Sequence, residues 1–245
     1  MKRETLVLIP GLLCDATVWT DQCEALAPLA DCVVAEHGDC NSIREMAERA
    51  LSSVDDDALS VAGHSMGGRV ALEMMRLAPH RIARLALLDT GYQPLPAGEA
   101  GDRERAGRMA LIALARQQGM RAMGQAWAPG MVLEERVGTP LFERILDMIE
   151  RSTPARFEAQ IGALLARPDA EPLLAQITCP TTVICGRADG WSPLARHEAM
   201  QAAIQGATLS VIERSGHMAT MEQPDAVSAA LAGWLAQPAT GAKQG

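Results

Sequence analysis

The chain has 245 residues, 48% of them hydrophobic and 21% charged, with a formal net charge of -8, which is enough sequence for one large α/β domain with an inserted segment. Its arginines and lysines are scattered among the acids and form no basic stripe, which excludes a nucleic-acid-binding surface. No window approaches the roughly 18 apolar residues of a membrane span, and the apolar run in "MKRETLVLIPGLL" is too short for a secretory signal core.

In chain order, "TLVLIP" (5–10) is the first run of apolar and β-branched residues bounded by a turn, and it predicts a strand. A helical pattern over 20–30 leads to a second strand, "CVVAE" (32–36). Ser42 and Glu45 form an S-x-x-E capping box that predicts a helix over 42–54. "ALSVAG" (58–63) predicts the third strand, 65–78 a helix and "RLALLD" (84–89) the fourth strand. The alternation then stops. Residues 91–176 open with "GYQPLPAGEAG" and continue with helical patterns over 102–118, 119–126, 139–151 and 154–166, without a convincing strand. It resumes with "TTVICG" (181–186), a helix over 193–205, "TLSVIE" (208–213) and a helix over 223–237.

Short, continuously apolar strands alternating with helices imply an α/β fold, a doubly wound and mostly parallel sheet with helices on both faces. The core is expected over 1–90 and 177–240, with 91–176 lying over the sheet as a helical lid or cladding it, and 241–245 forming a flexible tail. Six cysteines (Cys14, Cys23, Cys32, Cys40, Cys179, Cys185) show neither CxxC pairing nor metal-ligand spacing. They read as free thiols of a cytoplasmic protein.

The densest signal is Gly63-His64-Ser65-Met66-Gly67, a G-x-S-x-G between a predicted strand and a predicted helix. Glycines on both sides suit a serine held in a strained turn against closely packed neighbours. That turn lifts the hydroxyl above the carboxyl edge of the sheet and sets the Met66 N–H at a helix start, where it favours an oxyanion. A serine hydroxyl needs a base, and the base needs an orienting acid. Of five histidines, His64 lies inside the turn, His37 in a polar loop, His80 at a helix end and His197 on a predicted surface helix. His217 remains, directly after the last strand in "IERSGHMATMEQP". Asp189, in "ICGRADGWSP" after the preceding strand, is the favoured acid, with Asp89 at the end of "RLALLDTG" as its competitor.

On "GHSMGG", "GRADGWSP", "SGHMATMEQP" and "LIPGLLCDATVW", the sequence resembles the α/β-hydrolase superfamily, over nearly the whole chain. The resemblance implies a Ser65, Asp189, His217 triad in that chain order, in a short sheet of about six strands. It also implies backbone oxyanion donors at Leu12 and Met66. Pro10 stands where the family usually carries a histidine, while Gly11 is kept. The chemistry implied is acyl transfer with no metal and no organic cofactor, and a serine nucleophile argues against the haloalkane dehalogenases and epoxide hydrolases. For the pocket wall the reading gives Leu12, Leu13 and Cys14, then Tyr92, Trp127 and Met131 from the insertion, then Trp191 and Met218, a set suited to a small or medium apolar ester. Arg103, Arg105, Arg108 and Arg121 are spaced for a solvated helix face rather than an acid clamp. The expected protein is a serine carboxylic-ester hydrolase. Its partner is a small-molecule ester, with no nucleic acid and no membrane, and it works as a monomer or homodimer. The alternatives are a carbon-carbon bond hydrolase or a lyase like that of the menaquinone pathway on the same triad, perhydrolase side activity, and a ligand receptor with residual turnover.

Overall fold

The computed structural model describes residues 3–239. Six strands form one fully parallel sheet: β1 (Glu4–Ile9), β2 (Ala30–Val34), β3 (Leu59–His64), β4 (Ile82–Leu88), β5 (Thr181–Gly186) and β6 (Thr208–Ile212). Their order is β2-β1-β3-β4-β5-β6. The four inner strands are buried almost throughout, whereas the edge strands β2 and β6 are partly exposed. This explains why the inner strands read as unbroken apolar runs: helices cover both their faces.

The core helices are α1 (Thr20–Leu26), α2 (Ile43–Ser52), α3 (Met66–Leu77), α9 (Leu194–Ala203), α10 (Ala219–Glu222) and α11 (Pro224–Leu235). At α2 the Ser42 side chain accepts from Glu45 N–H at 3.1 Å, and the Glu45 carboxylate reaches back to Asn41 N–H at 3.0 Å. The anticipated cap is therefore present, with its return arm one residue upstream of the usual place. The helix predicted over 20–30 ends at Leu26, because Pro28 has no N–H to continue it. The edge strand then starts at Ala30, two residues earlier than its apolar run suggested.

Between β4 and β5 lie α4 (Glu99–Gln118), α5 (Met120–Trp127), α6 (Pro140–Glu150), α7 (Pro154–Leu165) and α8 (Glu171–Leu174), with no strand among the described residues. This insertion is tied to the sheet's carboxyl edge at defined points. The Gln160 side chain of α7 accepts from Leu13 N–H at 2.9 Å, and Met131 C=O accepts from His217 N–H at 2.8 Å. The short helices α8 and α10 are absent from the sequence reading, since four residues are too few to show a period. The tail expected at 241–245 lies outside the described residues. No helix among the described residues is long and apolar enough to cross a membrane.

From β1 the chain moves to β2 on one side of the sheet, then crosses to β3 on the other. The strand order therefore reverses between β1 and β3. Such a switch point is where parallel sheets place their ligands.

Candidate active site

Ser65 caps α3 with φ 56° and ψ -117°, a left-handed conformation for a residue with a Cβ. The strain is held from three sides: Ser65 N–H donates to Leu88 C=O at 2.9 Å, and Ser65 C=O accepts from Gly68 N–H at 3.0 Å and from the Thr90 hydroxyl at 2.6 Å. The flanking glycines are required by contact. A Cβ at Gly63 would stand 2.2 Å from Gly67 C=O, and one at Gly67 would stand 2.1 Å from Ile9 C=O. Gly67→Ala is accordingly expected to cost about 1–3 kcal/mol of stability through overpacking, read as a lower urea midpoint with unchanged slope. A midpoint equal to wild type would remove the close approach from this explanation.

The Ser65 side chain makes no cap hydrogen bond to its own helix. Its Oγ lies 2.8 Å from His217 Nε2, and His217 Nδ1 lies 2.9 Å from Asp189 Oδ2. The other oxygen of Asp189 accepts from Trp191 N–H at 2.9 Å and Ser192 N–H at 2.8 Å. Burial by itself raises the Asp189 pKa, but the His217 hydrogen bond and charge together with these two amides outweigh it and hold the carboxyl below its ordinary value. An ionised Asp189 keeps the imidazole proton on Nδ1 and leaves Nε2 free to accept from Ser65.

The loop after β1 packs against the elbow. A Cβ at Gly11 would stand 3.2 Å from Ser65 Cβ, and Leu13 turns the chain with φ 59°. Among the described residues the Leu12 N–H makes no hydrogen bond, and the Met66 N–H, first in α3, has no partner within its helix. The Pro10 carbonyl of this loop lies 2.9 Å from His37 Nε2.

Two of the remaining histidines depart from expectation, while His64 lies in the elbow and His80 just past the end of α3, as expected. His37 is buried against Pro10 although its segment is polar, and His197 is fully buried rather than on a surface face. His197 Nε2 accepts from Thr90 N–H at 2.9 Å, and burial pushes its pKa down to about 4. His64 is also buried; its Nε2 lies 2.8 Å from His217 C=O, and burial followed by the His217 charge lowers its pKa to about 4. Both are neutral spacers around the elbow. Asp89 is buried with φ 46°, and its carboxylate accepts from Gly186 N–H at 2.8 Å, pinning β4 to β5. Burial, then the charge of Asp189, raise its pKa well above the carboxylate range.

Sequence reasoning did not find Glu222. Its buried carboxylate accepts from Gly216 N–H at 2.7 Å, beside His217, and from Leu133 N–H of the insertion at 2.9 Å. An acid as the one charged residue of "MATMEQP" is the signal that was available.

A cavity of about 1090 Å³ opens above Ser65. Leu12, Cys14, Trp127, Met131, Trp191 and Met218 all line it, whereas Leu13 and Tyr92 are buried outside its wall. Leu13 turns inward at its left-handed backbone, and the Tyr92 carbonyl receives Ala170 N–H at 2.9 Å beneath the insertion. The Trp127 and Trp191 rings stack at 5.1 Å, and Trp191 stands 5.0 Å from the His217 ring. Asp89, Cys185 and Asp189 are the one group among the described residues with metal-ligand spacing. Asp89 and Cys185 are both pushed toward their protonated forms and Asp189 is occupied by His217, so the trio is a poor donor set for a cation.

A model of the alpha/beta hydrolase family matches residues 6–230. Among curated proteins the chain is similar to the 2-hydroxy-6-oxononadienedioate/2-hydroxy-6-oxononatrienedioate hydrolase of Escherichia coli (strain K12), 24% identical over 96% of this chain and 88% of the relative. Among solved structures it is similar to a thermophilic esterase from Thermogutta terrifontis in a malate-bound form (TM-score 0.83, 27% identity), which covers 96% of this chain and 90% of that one. It is also similar in fold to MenH from S. aureus (TM-score 0.84, 20% identity), over 96% of this chain and 94% of that one.

Proposed function

Because the chain belongs to the alpha/beta hydrolase family, we propose that it is a serine hydrolase cleaving small to medium apolar carboxylic esters through an acyl-enzyme intermediate. The observation that carries this reading is the unbroken hydrogen-bonded relay from Ser65 through His217 to Asp189, at 2.8 and 2.9 Å, under a cavity with apolar walls.

In this reading Ser65 Oγ attacks the ester carbonyl while His217 Nε2 takes its proton, and Asp189 stabilises the imidazolium that forms. The negative charge moves to the carbonyl oxygen, which the Leu12 and Met66 N–H groups receive. The oxygen of the departing alcohol takes the proton from Nε2. A water then attacks the acyl-Ser65 carbonyl, passing its proton to His217, and the acid is released with Ser65 restored. Every proton moves through His217, so the mechanism calls for no metal or organic cofactor. The enzyme acts in the cytoplasm as a monomer or homodimer.

A second reading, carbon-carbon bond hydrolysis on the same three residues, is supported by the name of the Escherichia coli relatives. Steady-state hydrolysis of p-nitrophenyl esters from acetate to decanoate separates the two. Saturable turnover with a chain-length optimum is the expected result. A folded protein that cleaves none of the series and instead cleaves a 2-hydroxy-6-oxo dienoate would transfer the assignment to the second reading. Trp127→Ala enlarges the wall opposite Trp191 and is expected to move the optimum to a longer acyl chain, since a methylene in an apolar pocket is worth about 1–3 kcal/mol. Identical chain-length profiles in wild type and variant would take Trp127 out of substrate binding.

A further inference from the structure

Two guanidiniums on the wall of the cavity form no ion pair with a carboxylate among the described residues. Arg69 lies in the first turn of α3, four residues beyond Ser65. Its Nη1 donates to Gln93 C=O at 2.8 Å. Arg196, on α9, approaches from the other side, its Nη1 3.4 Å from both Trp191 C=O and the Ser192 hydroxyl. The two converge at Gly91, where a Cβ would stand 2.8 Å from Arg69 Nη2 and 3.3 Å from Arg196 Nη1. Both line the cavity that holds Ser65 and His217.

The other arginines of this wall are paired: Arg103 with Glu99 at 3.3 Å, and Arg108 and Arg167 with Glu104 at 2.9 and 2.6 Å. Among the described residues no carboxylate lies within ion-pairing distance of Arg69 or Arg196. The cavity wall thus carries five arginines against four acids, one of which, Asp89, is pushed by burial toward its neutral form, in a chain whose net charge is -8. Burial, then the charges of Arg167 and Arg196, push Arg69 down to about 9, so it remains a cation at neutral pH. Both guanidiniums are half-buried; holding an unpaired guanidinium partly out of water costs free energy, and a bound anion offsets that cost through charge-assisted, bidentate hydrogen bonds.

We propose that Arg69 and Arg196 form a carboxylate clamp beside Gly91, and that the substrate is an ester carrying a free carboxylate at the end remote from the scissile bond, as in the half-esters of dicarboxylic acids. The substrate class rests on the ester reading above; the clamp does not. The apolar wall of Trp127, Trp191 and Met218 then receives the chain joining the two ends.

The test has two readouts. In the first, glutarate is titrated calorimetrically into wild type, Arg69→Gln, Arg196→Gln and, as a control, Arg121→Gln, whose side chain forms exposed ion pairs with Glu143, Asp147 and Glu150 away from the cavity. Each clamp variant is expected to weaken binding by about 10- to 100-fold, and the control to match wild type. Arg69→Lys, which keeps the charge and loses the fork, falls between, and thermal melts confirm that each variant is folded. In the second, kcat/KM for p-nitrophenyl hydrogen glutarate is divided by that for p-nitrophenyl pentanoate. The ratio is expected to exceed ten in wild type and to fall at least tenfold in either clamp variant. Glutarate binding that is absent, or indifferent to both arginines, overturns the clamp, and so does a wild-type ratio near one. If neither ester is cleaved while glutarate binds through both arginines, the ester reading falls and the clamp stands.

Discussion

Ser65→Ala is expected to remove about 10⁶ of kcat and leave a folded protein, the scale of loss seen when a serine hydrolase loses its nucleophile alone. The removed oxygen has one protein partner, His217 Nε2 at 2.8 Å, and no part in capping α3. The strain at φ 56° is carried by the backbone and by a Cβ that alanine keeps, so the elbow's three supporting hydrogen bonds persist. Rates from active-site-titrated wild type and variant, with unfolding curves for both, check the two halves together. Ordinary ester turnover by Ser65→Ala would mean that another group attacks the carbonyl.

Asp189→Asn is expected to cost about 10⁴ in kcat, as the equivalent change does in a serine protease triad, because an amide cannot stabilise the imidazolium and favours the wrong tautomer. The two backbone amides that donate to Asp189 Oδ1 also place a carbonyl oxygen there, which turns the asparagine NH₂ toward His217 Nδ1 and forces the proton onto Nε2. Asp89→Asn is the matched control. Asp89 has its pKa raised by burial and by Asp189, which favours the neutral carboxyl that asparagine imitates. Its folded-state pKa lies above the unfolded value, so the folded chain binds more protons and stability falls as pH rises above the unfolded pKa. Asp89→Asn should therefore retain most of the activity and flatten the loss of stability toward higher pH, measured as urea midpoints across the pH range. If Asp89→Asn proved the more damaging for catalysis while remaining folded, the acid would be Asp89.

The parts of the site that were legible in the sequence are those fixed by local constraint. "GHSMGG" announces itself because a left-handed serine, two close backbone approaches and a helix start all fall within six residues. Asp189 and His217 were legible because each follows an inner or terminal strand in a loop of small residues, where a parallel sheet delivers its side chains to one edge. The inner strands β1, β3, β4 and β5 were likewise readable, since burial on both faces leaves an unbroken apolar run.

What could not be read depends on packing between distant segments. Nothing near His197 or His37 signals that Thr90 and Pro10 would bury them. Leu13 and Tyr92 sit beside true wall residues in sequence, and a single turn of backbone decides which neighbour faces the cavity. Glu222 joins the insertion to the His217 loop through bonds spanning 89 and 6 residues, and Arg69 meets Arg196 from a helix on the other side of the insertion. The arginines that the sequence brought to attention lie on α4 and α5, whereas the two that lack a carboxylate partner among the described residues come from α3 and α9.

The central claim is that Ser65 becomes covalently acylated through His217. Its most direct test is to treat the protein with a fluorophosphonate, weigh the intact chain, and map the modified peptide. The expected result is one phosphonyl group on Ser65, absent from Ser65→Ala and much slower to form in His217→Ala. A folded wild-type protein that takes no label, or takes it at another residue, would contradict the account.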